Sequence, residues 1–464
     1  MKYQSTRGNC PLIGFQDAVI TGLARDGGLF LPASIPDVRA ALTAWQKLSY
    51  NELAFEVMRL FVDLPEYDLR ALISQGGATF RHQEVTPVVP MGGLHVLELF
   101  HGPTLAFKDV ALQFLGRLFE YELARDGGRL NVLAATSGDT GSAAIHGIRG
   151  RRQMRIFVLY PHGRVSPVQE RQMTTVMDDN VFALAVQGSF DDCQDIVKEL
   201  FSDLPFRDRC SLGAVNSINW ARLLSQIVYY FYAAFRVMER TGKPRVRFTV
   251  PTGNFGDVFA GYLAWRMGLP IGRLVLATNE NDILARFFNT GLYRRGRLCR
   301  TLSPSMDIQI ASNFERYLFY RAGEDPELLR VWMAQFQATG ELQLQGGSAG
   351  EADPLFAAGS ADTAACLAAI RDCYAAHGYL LDPHSAVGFH VAQSFLDPEE
   401  PMICLATAHP AKFSEAIRQA TGHDLAHHEI LDALTGLPER RTILPASAPA
   451  VREFMEAKIG AGDY

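Results

Sequence analysis

A chain of 464 residues, 48% hydrophobic and 20% charged, has the composition of a folded globular protein, and its length allows about three units of ~150 residues each. The net charge of −6 offers no basic surface of the kind nucleic acid requires, so no nucleic-acid partner is expected. Seven scattered cysteines without a Cys-x-x-Cys pair, no apolar h-region over the first seven residues and no run of about 18 apolar residues exclude a disulfide framework, a structural zinc and a membrane span, and a cytoplasmic protein is expected.

Residues 1–80 read as a mostly helical domain, with a helix from Asp17 ending at the Asp26-Gly27-Gly28 turn and further helices near 38–47, 51–62 and 66–74. From residue 94 short apolar runs alternate with helical patterns. The runs are 94–100, 130–135, 155–160, 181–186, 245–250, 273–277 and 402–406, and the helices between them include 109–125, 141–149, 191–202 and 219–239. Continuous rather than alternating apolarity predicts strands buried on both faces, hence an α/β fold with parallel sheets. The expected division is a helical domain (1–80), a smaller α/β lobe (81–180), a larger α/β lobe (181–440) and a C-terminal tail (441–464). The stretches 346–353 and 446–450, rich in small and turn residues, are expected to be exposed connections. The His423–His428 cluster lacks matching acidic or cysteine partners and reads as a polar turn, so no metal site is expected.

Four stretches carry chemistry. In His101-Gly-Pro-Thr-Leu-Ala-Phe-Lys-Asp109 a strand ends in a Gly-Pro turn and Lys108 opens an apolar helix. Taken alone, a lysine at a helix start is a solvated cation that the helix dipole disfavours; tethered to rigid apolar structure, its pKa falls and its amine is free to form an imine. Strand-to-helix turns recur at Thr136-Ser-Gly-Asp-Thr-Gly141, at Gly253-Asn-Phe-Gly-Asp257 and, ending in hydroxyl and small residues, at Thr407-Ala-His-Pro410. Glycines let backbone approach a ligand, and helix N-termini present free N–H groups to anions. Each turn alone is equally well a capping device. The Gly-x-Gly-x-x-Gly, Walker A and Gly-x-Ser-x-Gly fingerprints are absent, which disfavours nucleotide, NAD-dependent and α/β-hydrolase chemistry. A tethered lysine with two anion loops points instead to pyridoxal 5′-phosphate.

These motifs, with Thr407-Ala-His-Pro-Ala-Lys-Phe413, Asn216-Ser-Ile-Asn-Trp-Ala-Arg222, the 277–284 and 303–308 stretches, Ser312–Arg316 and the run from Leu381, resemble the threonine synthase family. The resemblance runs in order from residue 3 to about 420, matches least over 325–362 and is closer to the longer bacterial and fungal branch than to the plant one. Its departures are minor: Pro251-Thr252 stands where Pro-Ser is commoner, and Trp220 holds a variable position. The resemblance implies a fold-type-II pyridoxal-phosphate enzyme of tryptophan synthase β-like, two-lobed architecture, with the cofactor in the cleft. The implied reaction converts O-phospho-L-homoserine and water to L-threonine and phosphate, by γ-elimination and β-hydration. The same resemblance makes Lys108 the covalent attachment point and Gly253, Asn254, Phe255, Gly256 and Asp257 the cradle of the cofactor phosphate. It puts the Thr407 hydroxyl at the pyridine nitrogen. Thr136, Ser137, Gly138, Asp139 and Thr140 hold the substrate carboxylate and the side of the ring bearing the phenolic oxygen. Asn216, Ser217, Asn219 and Arg222 are candidates for the substrate phosphate, with Arg164, Ser166 and Gln169 behind them. Several proton transfers on one face of the substrate make a single mobile lysine the natural shuttle. A monomer or weak homodimer is expected. The alternatives are a phospho-lyase of the same scaffold, releasing phosphate and a 2-oxo acid, and an inactive binding homologue, against which the retention of Lys108 and Thr407 argues.

Overall fold

The computed structural model describes residues 1–344 and 353–460. The glycine-rich connection expected at 346–353 lies outside these, apart from Asp353. Two parallel sheets carry the α/β part. A six-stranded sheet runs in the order Phe356–Ser360, Ile271–Thr278, Val246–Pro251, Met402–Ala406, Leu94–Glu98, Val88–Met91, and only the last edge strand is antiparallel. A five-stranded sheet, parallel throughout, runs Thr442–Pro445, Val181–Gln187, Met154–Pro161, Leu130–Ala135, Leu212–Gly213. All eight residues of Met154–Pro161 and all five of Met402–Ala406 are buried, as continuous apolarity requires of strands covered on both faces.

The sheets divide the chain differently from the expectation. The boundary at 180/181 falls inside the five-stranded sheet, because Met154–Pro161 pairs with Val181–Gln187. Leu94–Glu98, which leads to Lys108, belongs to the other sheet and pairs in register with Met402–Ala406. The 441–464 region is no loose tail: Thr442–Pro445 is an edge strand, and Ala448–Gly460 is a helix whose Ala448, Val451 and Met455 are buried. The 446–450 connection is therefore short, and its second half is already helix. The helix expected at 38–47 reduces to a short 3-10 turn, Arg39–Ala41, and Leu42–Trp45.

One helix ties the parts together. Trp220–Thr241 buries residues on every face, a pattern that belongs in a protein interior. It packs against the N-terminal helix Tyr50–Met58, the lysine helix Lys108–Asp126 and the helix Gly256–Arg266. The lysine helix in turn packs closely on Asp139–Ile148 through facing glycines: a Cβ on Gly116 would sit 1.9 Å from the Gly147 carbonyl oxygen. That close approach fixes the distance between Lys108 and Asp139, the first residues of the two helices.

Candidate active site

A cavity of about 180 Å³ opens at the carboxyl ends of strands from both sheets, where parallel α/β folds place their ligands. Lys108 lies in it, 7% exposed. The Phe107 N–H bond to the Thr407 carbonyl (2.8 Å) and the Ala106–Ala408 bridge hold its backbone to the far strand. The preceding turn is built for this position: Asp109 accepts from the Thr104 N–H and hydroxyl, at 2.8 Å each. The Lys108 amine has two weak partners, Asp139 Oδ2 and Ser305 Oγ, both at 3.5 Å. Burial lowers its pKa; Asp139 opposes this, and the nearby Arg222 and Lys412 cations reinforce it.

Asp139 is held elsewhere. Lys412, 1% exposed, donates to Asp139 Oδ1 at 2.8 Å and to the Thr104 carbonyl at 2.8 Å. Gln169 Nε2 donates to the same Oδ1 at 2.9 Å. Burial works to raise the Asp139 pKa, but Lys412, Lys108 and His384 together hold it well below the usual carboxylate range. The closer lysine therefore neutralises the carboxylate, and Lys108 remains the looser partner.

The second loop has the opposite character. Phe255 takes a left-handed backbone (φ 64°) and buries its ring completely, stacked on Phe288 at 5.9 Å and surrounded by Phe314, Tyr317 and Phe356. It presents only backbone to the cavity, at the N-terminus of Gly256–Arg266. A Cβ on Gly253 would lie 2.5 Å from the Ser305 carbonyl, so only glycine leaves that cradle open. Asp257 accepts from the hydroxyls of Tyr229 and Tyr230 through Oδ1, and its Oδ2 is buried without a partner. Burial raises its pKa to about 6, against the Tyr229 and Tyr230 hydrogen bonds and the Lys108 and Arg222 charges. Arg222 is 3% exposed, makes a long bond to the Val215 carbonyl (3.4 Å) and leaves Nε unpartnered. Burial lowers its pKa to about 10. A buried guanidinium without a bonded carboxylate at a cavity wall is an anion receptor.

A third wall is tied by one buried carboxylate. Asp382 Oδ1 faces His384 Nδ1 at 2.9 Å, and His384 Nε2 accepts from the Ser305 N–H at 3.2 Å. Asp382 Oδ2 accepts from the Ser385 hydroxyl, whose oxygen accepts the Thr407 N–H at 3.1 Å. Asp382 thus holds, through His384 and Ser385, the backbone of Ser305, which faces the Lys108 amine, and of Thr407, which bonds Phe107.

Among the residues expected from the sequence, Lys108, Thr136, Ser137, Asp139, Thr140, Asn216, Ser217, Arg222, the loop Gly253–Asp257 and Thr407 all line this one cavity. Three expectations need correction. Asn219 is fully buried away from the cavity: it caps Trp220–Thr241 and donates to the Val19 and Ala214 carbonyls. Gly138 shapes its loop, since its N–H is taken by Thr136 Oγ1 (2.9 Å), which also accepts from Gly141 (2.8 Å). Arg164 is exposed and Ser166 caps Pro167–Thr174, so neither reaches the site, whereas Gln169 reaches it through Asp139. Lys412, Ser305, His384 and Asp382 carry no role on sequence alone, although all four lie within stretches that carry the resemblance. The His423–His428 segment holds no metal-type cluster: His427 lies 3.9 and 3.8 Å from Asp424 and Asp432, and His428 caps Glu429–Asp432.

A tethered amine, an amide-lined cradle with a buried arginine, a second hydroxyl-rich loop and a hydroxyl between them fit pyridoxal phosphate with an amino-acid substrate. Comparison with known proteins agrees. Residues 2–76 match the model "Threonine synthase N terminus", residues 80–328 "Pyridoxal-phosphate dependent enzyme" and residues 385–455 "Threonine synthase, C-terminal". The chain is 47% identical to a threonine synthase of Schizosaccharomyces pombe over 458 residues, covering 90% of this chain and 89% of that protein. It is 46% identical to a threonine synthase of Pseudomonas aeruginosa, covering 98% of each chain. The crystal structure of a PLP-bound threonine synthase from Brucella melitensis superposes with a TM-score of 0.93 at 47% identity, over 99% of each chain.

Proposed function

The chain belongs to the threonine synthase family, and from that premise we propose that it converts O-phospho-L-homoserine and water to L-threonine and phosphate, with pyridoxal phosphate as cofactor. One observation carries the reading beyond family membership. A buried lysine of lowered pKa stands between the Asp139 and Ser305 side chains, in a cavity that two anion-binding loops also line.

The geometry supports the following division of labour. Lys108 would hold the cofactor, the amides of the Gly253–Asp257 loop would receive its phosphate, and the Thr407 hydroxyl, with no other partner among the described residues, would meet its ring nitrogen. When bound, the cofactor supplies an electron sink that acidifies substrate hydrogens at Cα and then Cβ. Ser137 and Thr140, at the start of Asp139–Ile148, receive the substrate carboxylate. Arg222, with Asn216 and Ser217, receives the substrate phosphate and stabilises it as it leaves. Because Lys412 already neutralises Asp139, the Lys108 amine is free to take the Cα and Cβ protons and to return a proton to Cγ. Water then adds its hydroxyl at Cβ, the second proton taken returns to Cα, the water's remaining proton leaves with the phosphate, and Asp382 keeps Ser305 and Thr407 in place.

The same reading carries a cytoplasmic monomer or weak homodimer with no nucleic-acid partner, supported by the net charge of −6 and by free thiols at all seven cysteines. No helix among the described residues is long and apolar enough to cross a membrane. The test is product stoichiometry from O-phospho-L-homoserine. Equal amounts of phosphate and threonine are expected. Phosphate accompanied by a 2-oxo acid and no threonine would replace this reading with the phospho-lyase one.

A further inference from the structure

A second cavity, of about 390 Å³, lies behind the turn that carries Lys108, and no residue lines both cavities among the described residues. Among its lining residues, Arg81, His409 and His428 come from distant parts of the chain and have no carboxylate partner among the described residues there, whereas His101 and Tyr379 are engaged by Glu98. The His409 and His428 imidazoles touch edge to face, with ring centroids 4.8 Å apart. Each is oriented by its own backbone. His409 Nδ1 accepts from the Ala411 N–H and His428 Nδ1 from the Ile430 N–H, at 3.2 Å each. An imidazole whose Nδ1 is an acceptor carries its proton on Nε2, so both rings have a fixed Nε2–H donor, with no protein acceptor among the described residues. Arg81 likewise has no carboxylate partner there.

The one carboxylate lining the cavity is already engaged. Glu98 accepts from the Tyr379 hydroxyl at 2.8 Å with one oxygen and faces His101 Nε2 at 2.8 Å with the other. A guanidinium and two N–H donors around an open space, with no other carboxylate among the described lining residues, form a receptor for an anion. The walls are also tied to the lysine turn: Arg81 N–H donates to the His101 carbonyl and His409 N–H to the Leu105 carbonyl, both at 3.0 Å. An occupant would press on that turn through His101 and Leu105, which line this cavity and not the catalytic one.

We propose that this second cavity is a binding site for a small anion, a carboxylate or phosphate group held by Arg81 and the Nε2–H groups of His409 and His428. The test is to titrate the cofactor-loaded enzyme with malonate and, separately, with inorganic phosphate while recording the histidine ring proton resonances. His409 and His428 are expected to shift saturably below about 10 mM, and Arg81→Gln to weaken the affinity at least tenfold. His428→Gln is expected to weaken it as well. Malonate moves these signals without moving His384, which separates this cavity from the catalytic one. Response to malonate alone assigns a carboxylate ligand, and response to phosphate alone assigns a phosphate. Arg81 is exposed, so turnover of Arg81→Gln without added anion stays at the wild-type level and reports an intact fold. Shifts that chloride reproduces, shifts unaltered in Arg81→Gln, or no saturable shift with either anion would overturn the proposal.

Discussion

Asp139 and Asp257 occupy matching places, each in the first turn of a helix that follows a glycine-containing loop at the end of a buried parallel strand. Their chemistry is opposite. Asp139 faces two lysines and is held ionised; Asp257 faces two tyrosines and is pushed toward protonation, to about 6. The difference does not come from the loops. It comes from what the rest of the fold delivers: Lys412 from the far end of the chain beside Asp139, and Tyr229 and Tyr230 from the central helix beside Asp257. One loop thus becomes a charged partner for a reactive amine. The other remains an amide cradle whose one carboxyl is bonded by two tyrosine hydroxyls and pushed up to about 6.

Breaking the charged side should cost most. Lys412→Met leaves Lys108 as the one lysine facing Asp139, beside the Gln169 hydrogen bond, which both draws the Lys108 amine into a tighter ion pair and removes a repelling cation. The Lys108 pKa rises, so kcat falls by about 10²-fold at pH 7.5 and the alkaline limb of recovery moves upward in a pH–rate profile. Asp139→Asn leaves Lys412 buried without a counter-charge. It should destabilise the fold by about 3–5 kcal/mol in denaturant titrations and lower kcat/KM by about 10²-fold. A smaller loss follows from Asp382→Asn, which disturbs the His384–Ser305 and Ser385–Thr407 contacts together. An approximately tenfold drop in kcat with faster cofactor dissociation is expected, and restoration of neither by higher substrate concentration.

The pH dependence of stability separates the two aspartates, which should give slopes of opposite sign. Asp139, lowered in the folded state, adds stability above the unfolded value of 3.8 and loses it as the pH falls below that. Asp257, raised to about 6, adds stability that is full below 3.8 and is lost as the pH rises through 6. The wild type should therefore gain up to about 3 kcal/mol relative to Asp257→Asn between pH 8 and pH 4. A flat difference across that range would remove Asp257 from the account.

The sequence was most readable where chemistry sits on contiguous residues. Lys108, the Thr136–Thr140 loop, the Gly253–Asp257 loop and Thr407 could be read because each is a short motif at a strand end, and all reach one cavity. Arg222 was readable only through its motif; its burial without a bonded carboxylate is a fact of the fold. Lys412 and the Asp382–His384–Ser385 group were not readable, since their roles rest on partners far away in sequence: Lys412 meets Thr104 across 308 residues. Asn219 was misplaced for a local reason, because an asparagine before a helix serves as a cap as readily as a ligand. The lobe boundaries failed for the same reason that hid Lys412. Leu94–Glu98 is near Leu130–Ala135 in sequence, yet it pairs with Met402–Ala406.

Of the two lysines flanking Asp139, Lys108 is the free amine and Lys412 the closer counter-ion. Borohydride reduction of the cofactor-loaded enzyme, followed by proteolysis and mass mapping, tests it directly. The account predicts one pyridoxyl-bearing peptide, modified at Lys108, with Lys412 unmodified. A pyridoxyl group on Lys412 would contradict it.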